Sequence, residues 1–176
     1  MLESLITSKT RLKLLIRLFL NAESRCHLRG LEDEFNESTN GIRVELNRLE
    51  EAGLLMSKTE GNKRIFTANT QHPLYDDIHR LLRKHIGLDR LVEQVVEKLG
   101  NISRAHLTGD LAAGIDNRVI DLALVGNNID LEYLETCIHK AETLTQREIR
   151  CQVLRENEEK RYLKDYPRSL VLWEKT

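Results

Sequence analysis

Arg43 and Asn47 lie four residues apart, the spacing that brings two side chains onto one face of a helix. Arg and Asn are also the side chains that make bidentate contacts to guanine and adenine edges. Asn40 shares that outward face, and Thr39, beside the free N–H groups of a helix start, suits a phosphate. Lys58, Lys63 and Arg64 flank the turn Glu60-Gly61-Asn62 and suit phosphate contacts, which position a protein without reading sequence. Each group also has a plainer role, as a solvated helix face or as charge that keeps an exposed hairpin in solution.

These residues need elements to hold them. Thr10 to Leu20 places Leu12, Leu15, Ile16 and Phe19 at helical spacing, with Ser8 or Thr10 as cap. His27 to Phe35 predicts a second short helix through Leu28, Leu31 and Phe35. A third follows, capped by Ser38 or Thr39, with Ile42, Leu46 and Leu49 inward and Gly53 as its stop. Leu54 to Thr59 and Lys63 to Ala68 then form a hairpin. Three helices followed by a charged hairpin is the order of a winged helix-turn-helix, whose third helix fits the major groove and whose wing meets the flanking backbone or minor groove.

Leu74 to Ile86 predicts a helix with Leu74, Ile78, Leu81 and Leu82 on one side. After Gly87, Leu88 to Leu99 continues it, as a bridge between domains or a dimer interface. From Ile102 the pattern becomes α/β. Ala105 to Thr108 predicts a strand and Val119 to Val125 a strand buried on both faces. A helix follows over 130–144, a strand over 148–154 and a charged helix over 156–163. Ser169 to Trp173 fits a last strand or a helical turn.

Bulk properties narrow the function. The chain has 176 residues, 40% hydrophobic and 31% charged, which allows one large or two small domains with a buried core. No apolar run reaches the ~18 residues of a membrane span, and no signal-peptide layout opens the chain, which places the expectation in the cytoplasm. A net charge of −1 argues mildly against nucleic acid. Distribution argues the other way: Lys9, Arg11, Lys13, Arg17, Arg25 and Arg29 face only Glu3 and Glu23 within the first 31 residues, which predicts a local basic face. Lys9, Arg11 and Arg25 are further phosphate candidates. Cys26, Cys137 and Cys151 form no CxxC pair and are expected to be buried or half-buried. His79 and His85 are six apart, not the spacing of a helical metal pair, and no cofactor or metal is expected.

The segment HLTGDLAAGIDNRVIDLALVG, His106 to Gly126, resembles the nucleotidyltransferase fold, the family of DNA polymerase beta and the minimal nucleotidyltransferases. That family has a strand ending in Gly-Ser, a short helix, then Asp-x-Asp on the next strand. The Gly-Ser turn grips the triphosphate and the carboxylates hold magnesium. Gly109, Ala112 and Gly114 match the loop, and Ile120-Asp121-Leu122 matches the second half of Asp-x-Asp. Three departures stand out. Asp110 replaces the Ser, Val119 the first Asp, and Arg150 the third acid expected near Ile149. The resemblance, covering roughly 88–154, therefore implies a scaffold without catalysis.

Leu28-Arg29-Gly30-Leu31, the run Ile42 to Leu55 and Arg147-Glu148-Ile149 extend the likeness. Together they resemble a group of prokaryotic transcriptional regulators in which a winged helix-turn-helix precedes a degenerate minimal nucleotidyltransferase domain. The expectation is thus an α+β chain: residues 1–72 a winged helix-turn-helix DNA-binding domain, 73–87 a connecting or dimerisation helix, and 88–176 an inactive nucleotidyltransferase-like α/β domain. Its partners are double-stranded DNA and a second copy of itself, its effector unspecified. Two other classes stay open: an active nucleotidyltransferase, and a winged helix that binds protein rather than DNA.

Overall fold

Ser8 starts the first helix by accepting the Arg11 N–H on its hydroxyl at 3.1 Å. This computed structural model describes residues 2–176, a mixed α+β chain with two sheets and two compact units, residues 1–85 and 86–176. In the first unit α1 spans Lys9–Phe19, α2 Leu28–Phe35 and α3 Thr39–Glu51. The predicted stripe of α1 is buried, but so are Leu14, Arg17 and Leu18, so the helix is enclosed on more than one side. Asn36, left-handed at φ 50°, ends α2 and turns the chain within three residues into α3. Ile42, Leu46 and Leu49 of α3 face inward as their spacing predicts, and Glu45 joins them.

Strand β1 (Leu55–Glu60) pairs antiparallel with β2 (Lys63–Ala68), with Glu60 opposite Lys63 around the turn. Gly61 sits at φ 62°, the left-handed conformation such a turn requires. Cys26 and Phe66 exchange both backbone hydrogen bonds, at 3.2 and 2.8 Å, tying the hairpin to the segment just before α2. Leu55, Phe66 and Ala68 point inward and Met56 outward, the alternation of a sheet covered on one face.

α4 (Tyr75–Ile86) corrects the sequence reading. Its inward positions are Tyr75, Leu82 and Ile86, while Leu74 and Leu81 are exposed. The stripe is rotated because two polar-tipped residues belong to it. Tyr75 stacks on Phe19 at 5.6 Å, and His79 Nδ1 donates to the Phe19 carbonyl at 2.8 Å.

In the second unit, Gly87 (φ 92°) separates α4 from α5 (Leu88–Leu91). A π turn at Val92–Val96 and α6 (Glu97–Leu99) complete the run. β3 (Ile102–Thr108), α7 (Gly109–Ala112), β4 (Val119–Gly126), α8 (Leu131–Thr145), β5 (Glu148–Leu154), α9 (Glu156–Leu163) and β6 (Leu170–Glu174) follow. The sheet order is β5-β4-β3-β6, with β4 and β5 parallel and the other pairs antiparallel. β4 is a central strand, which is why its apolar run is almost continuous. Asp130 caps α8 through the Tyr133 N–H at 3.1 Å. Residues 170–174 form a strand, which resolves the ambiguity of the C-terminal stretch. Cys26 and Cys137 are buried and Cys151 half-buried, and burial pushes the Cys26 and Cys151 thiols up to about 12.

α9 lies against the sheet through a buried charge cluster. Glu159 accepts from Arg104 Nε at 2.8 Å and from His106 Nε2 at 2.7 Å. His106, only 4% exposed, is thus a structural residue of β3, held by an acid from α9. The Arg104 hydrogen bonds keep the Glu159 carboxyl below the ordinary carboxylate range despite its burial, with His106 adding to the effect.

Candidate nucleic-acid interface

Most of the expected basic face of residues 1–31 is not available to a ligand. Arg11 pairs with Glu45 at 2.8 Å, Lys13 with Glu37 at 2.5 Å, Arg17 with Glu34 at 2.8 Å, and Arg25 with Glu60 at 2.5 Å. Arg17 is the extreme case, 2% exposed. It also donates to Ser24 Oγ at 2.6 Å and to the Arg25 carbonyl at 3.2 Å. Burial raises the Glu45 and Glu37 carboxyls, but the hydrogen bonds and charges of Arg11 and Lys13 outweigh it, so both lie below their ordinary range. Arg11, Lys13 and Arg17 are staples between helices, which corrects the phosphate role expected of Arg11. Arg25 and Glu60 form an exposed pair between the segment before α2 and the hairpin turn, and Lys9, exposed at the start of α1, has no such pair among the described residues.

Three cations without such partners meet elsewhere in this unit. A cleft of about 430 Å³ opens between the start of α2, the outer face of α3 and β2. Arg29, Arg43, Lys63 and Arg64 line it, and no acid does. Among the described residues no carboxylate pairs with Arg29, Arg43 or Lys63. Leu28, Leu46 and Phe66 form an apolar floor, while His27, Asn47 and Asn62 add neutral polar groups. Positive charge above a low-dielectric floor raises the local potential that an anion meets.

The sequence-selected residues divide over this geometry. Arg43, Asn47, Lys63 and Arg64 meet at the cleft. Thr39 and Asn40 begin α3, where Asn40 is exposed and Thr39 half-buried, and neither lines the cleft. Lys58, on β1 opposite Ile65, is exposed and also lies outside it. Arg64 differs from the rest. It pairs with Glu50 of α3, donates to Ser57 Oγ at 2.9 Å and stacks over Phe66 at 5.0 Å. Ser57 first, then Arg64, holds the Glu50 carboxyl down. Arg64 therefore braces the hairpin against α3 as well as facing the cleft. Arg29, counted from sequence only as part of the basic face of residues 1–31, lines the cleft, and so does His27, which was missed because a residue just ahead of a helix shows no periodicity of its own.

In the second unit Gly109 (φ 67°) sits directly against Asp121. A Cβ added there would overlap the carboxylate, with Cγ only 2.9 Å away. Asp110 accepts from Asn117 Nδ2 at 2.9 Å. The N–H of Gly114 goes to the Leu111 carbonyl at 2.9 Å. Arg150 stands beside Asp121 in the parallel register and pairs with Glu148 at 2.8 Å. Burial raises the Asp121 carboxyl, Arg150 opposes this, and Asp110 and Glu148 add to it. Among the described residues no three His, Cys, Asp or Glu side chains are grouped to hold a metal ion, and no helix is long and apolar enough to cross a membrane.

No family model matches the chain, and no curated protein matches it. Solved structures are similar to parts of it. Reduced HlyU from Vibrio cholerae aligns at 18% identity and TM-score 0.39 over 47% of this chain and 82% of its own. A Sulfolobus solfataricus protein described as a candidate nucleotidyltransferase aligns at 18% identity and TM-score 0.39, over 53% and 83%. A chain from the complex of tri-AMPylated HEPN toxin with MNT antitoxin of Shewanella oneidensis aligns at 11% identity and TM-score 0.38, over 51% and 71%.

Proposed function

We propose that this protein is a DNA-binding transcriptional regulator. In this reading residues 1–72 are a winged helix-turn-helix, α3 enters the major groove and the β1–β2 hairpin is the wing. The observation that carries it is the acid-free cleft, where Arg29, Arg43 and Lys63 lack carboxylate partners among the described residues while Arg11, Lys13 and Arg17 of α1 are paired. Arg43 and Asn47 contact base edges, Thr39 and Asn40 approach the adjoining backbone, and Lys58, Lys63 and Arg64 meet phosphates. The helix over 73–87 connects the units or pairs two copies. In a two-fold dimer the two α3 helices would lie about 34 Å apart, one turn of DNA. Selection from a random duplex library tests the reading: it expects enrichment of a defined site, and a protein that retains no duplex at low salt refutes it.

The second unit, residues 88–176, is in this proposal a nucleotidyltransferase-like domain that senses, dimerises or recruits without catalysing. Two-metal nucleotidyl transfer needs carboxylates flanking the reacting phosphate. Here Val119 and Arg150 take positions beside Asp121, and Asp110 adds negative charge near the Gly109 turn. Incubation with each labelled nucleoside triphosphate and magnesium or manganese is expected to give no transfer. Label transfer abolished by Asp121→Asn would make the enzyme reading the better one.

A further inference from the structure

His27 stands at the rim of the cleft, in the N-cap position of α2. Its Nδ1 accepts the backbone N–H of Gly30 at 3.1 Å. A nitrogen that accepts cannot carry the proton, so the neutral ring holds it on Nε2. The ring lies flat over the first turn of α2, and Gly30 is what allows this. A Cβ at residue 30 would stand 3.2 Å from Cε1 and 3.4 Å from Nε2. Both the tautomer and the plane of the ring are therefore set by local structure. Among the described residues Nε2–H has no acceptor. It is left at a cleft whose other polar wall groups are the cations Arg29, Arg43, Lys63 and Arg64 and the amides of Asn47 and Asn62.

We infer that His27 is a tautomer-locked neutral donor to a phosphate oxygen of the DNA backbone, with Gly30 as its positioning residue. The inference rests on the DNA-binding reading above. It follows from the kind of group the cleft offers. An acid-free, cation-lined wall concentrates phosphate, and a donor with a fixed direction and no competing acceptor adds a directional bond to that diffuse attraction. Ordering the donor before binding also avoids part of the entropy cost that a lysine in the same place would meet.

A neutral donor has a signature that a cation lacks. It contributes affinity without releasing a counterion, so its loss lowers binding and leaves the salt slope alone. His27→Ser keeps an N-cap acceptor and removes the imidazole Nε2–H, whose reach a short hydroxyl does not share. Wild type and variant are titrated by fluorescence anisotropy against a labelled random-sequence duplex of about two helical turns over a range of salt. Loss of about tenfold in affinity with an unchanged slope and unchanged Tm is expected for His27→Ser. Arg29→Ala should lower affinity and make the slope shallower by about one. Gly30→Ala, which pushes the ring aside, should weaken wild type but add nothing to His27→Ser. Wild-type affinity in His27→Ser, or a slope shallower by a full unit, overturns the inference while DNA binding stands. A wild-type protein that does not bind the duplex overturns the DNA reading, and this inference with it.

Discussion

Two sets of cations lie within one unit and behave in opposite ways. Three cations of α1 meet a glutamate from α2, α3 or the link between them: Arg17 with Glu34, Arg11 with Glu45, Lys13 with Glu37. Three of the cleft, Arg29, Arg43 and Lys63, meet none among the described residues. The same residue type thus has two uses. Paired and partly buried, an Arg fixes the packing of helices; unpaired at a cleft, it is available to an anion. A protein with a net charge of −1 can bind a polyanion only if its acids are placed away from one surface, and this unit places them against α1.

The largest effect should come from the most enclosed pair. Arg17→Met removes a guanidinium that is 2% exposed and strands the acceptors around it. Breaking such a pair costs about 3 kcal/mol, the lower end of the usual range because Glu34 keeps access to water. Denaturant unfolding should show that loss, with DNA affinity per folded molecule unchanged. A variant as stable as wild type would break the distinction between staple and ligand cation.

Arg43→Ala should do the reverse. Arg43 is exposed and unpaired, so thermal stability should not move. Affinity for a selected site should fall by about 1–3 kcal/mol, with relaxed preference at one base position. Equal losses on every sequence would reassign Arg43 from base reading to phosphate contact.

Acid should act on the staples before the cleft. Glu37 and Glu45 lie below the carboxylate value of 4.5 in the folded chain. Their contribution to stability is complete above that value and is lost as pH falls through the lower folded one. Stability should therefore decline below about pH 4.5, less steeply in Glu45→Gln. Equal slopes with pH in the two proteins would remove Glu45 from the account.

Sequence patterns carried much of the element order, because α1, α3, β4 and β5 present unbroken apolar periodicity. The charge assignment failed for a physical reason. Arg11 and Glu45 are 34 residues apart and Arg17 and Glu34 are 17 apart, so counting charges within the first 31 residues misses the acids that neutralise them. The inward face of α4 was obscured because His79 occupies it, satisfied by a carbonyl that only the fold brings near. Arg43, Asn47 and Lys63 were legible from helix phase and turn position. His27 was not, since its role depends on a ring lying over Gly30.

The finest test of the comparison lies within the hairpin, where adjacent residues fall on opposite sides of it. The Lys63 side chain has no carboxylate partner among the described residues, whereas Arg64 is engaged by Glu50 and Ser57 and stacked on Phe66. Counterion release scales with the positive charge that a free protein presents to phosphate. Lys63→Ala should therefore make the salt dependence shallower by about one unit of slope. Arg64→Ala should change it by less, because Glu50 already offsets that charge in the free protein. Loosening of the hairpin should accompany it, seen as faster amide exchange across β1 and β2. Arg11→Ala, a staple, should leave the slope as it is. If Arg64→Ala lowers the slope as much as Lys63→Ala does, Arg64 leaves Glu50 on binding and belongs with the ligand cations. The boundary between the two sets would then run through the Glu50–Arg64 pair rather than beside it.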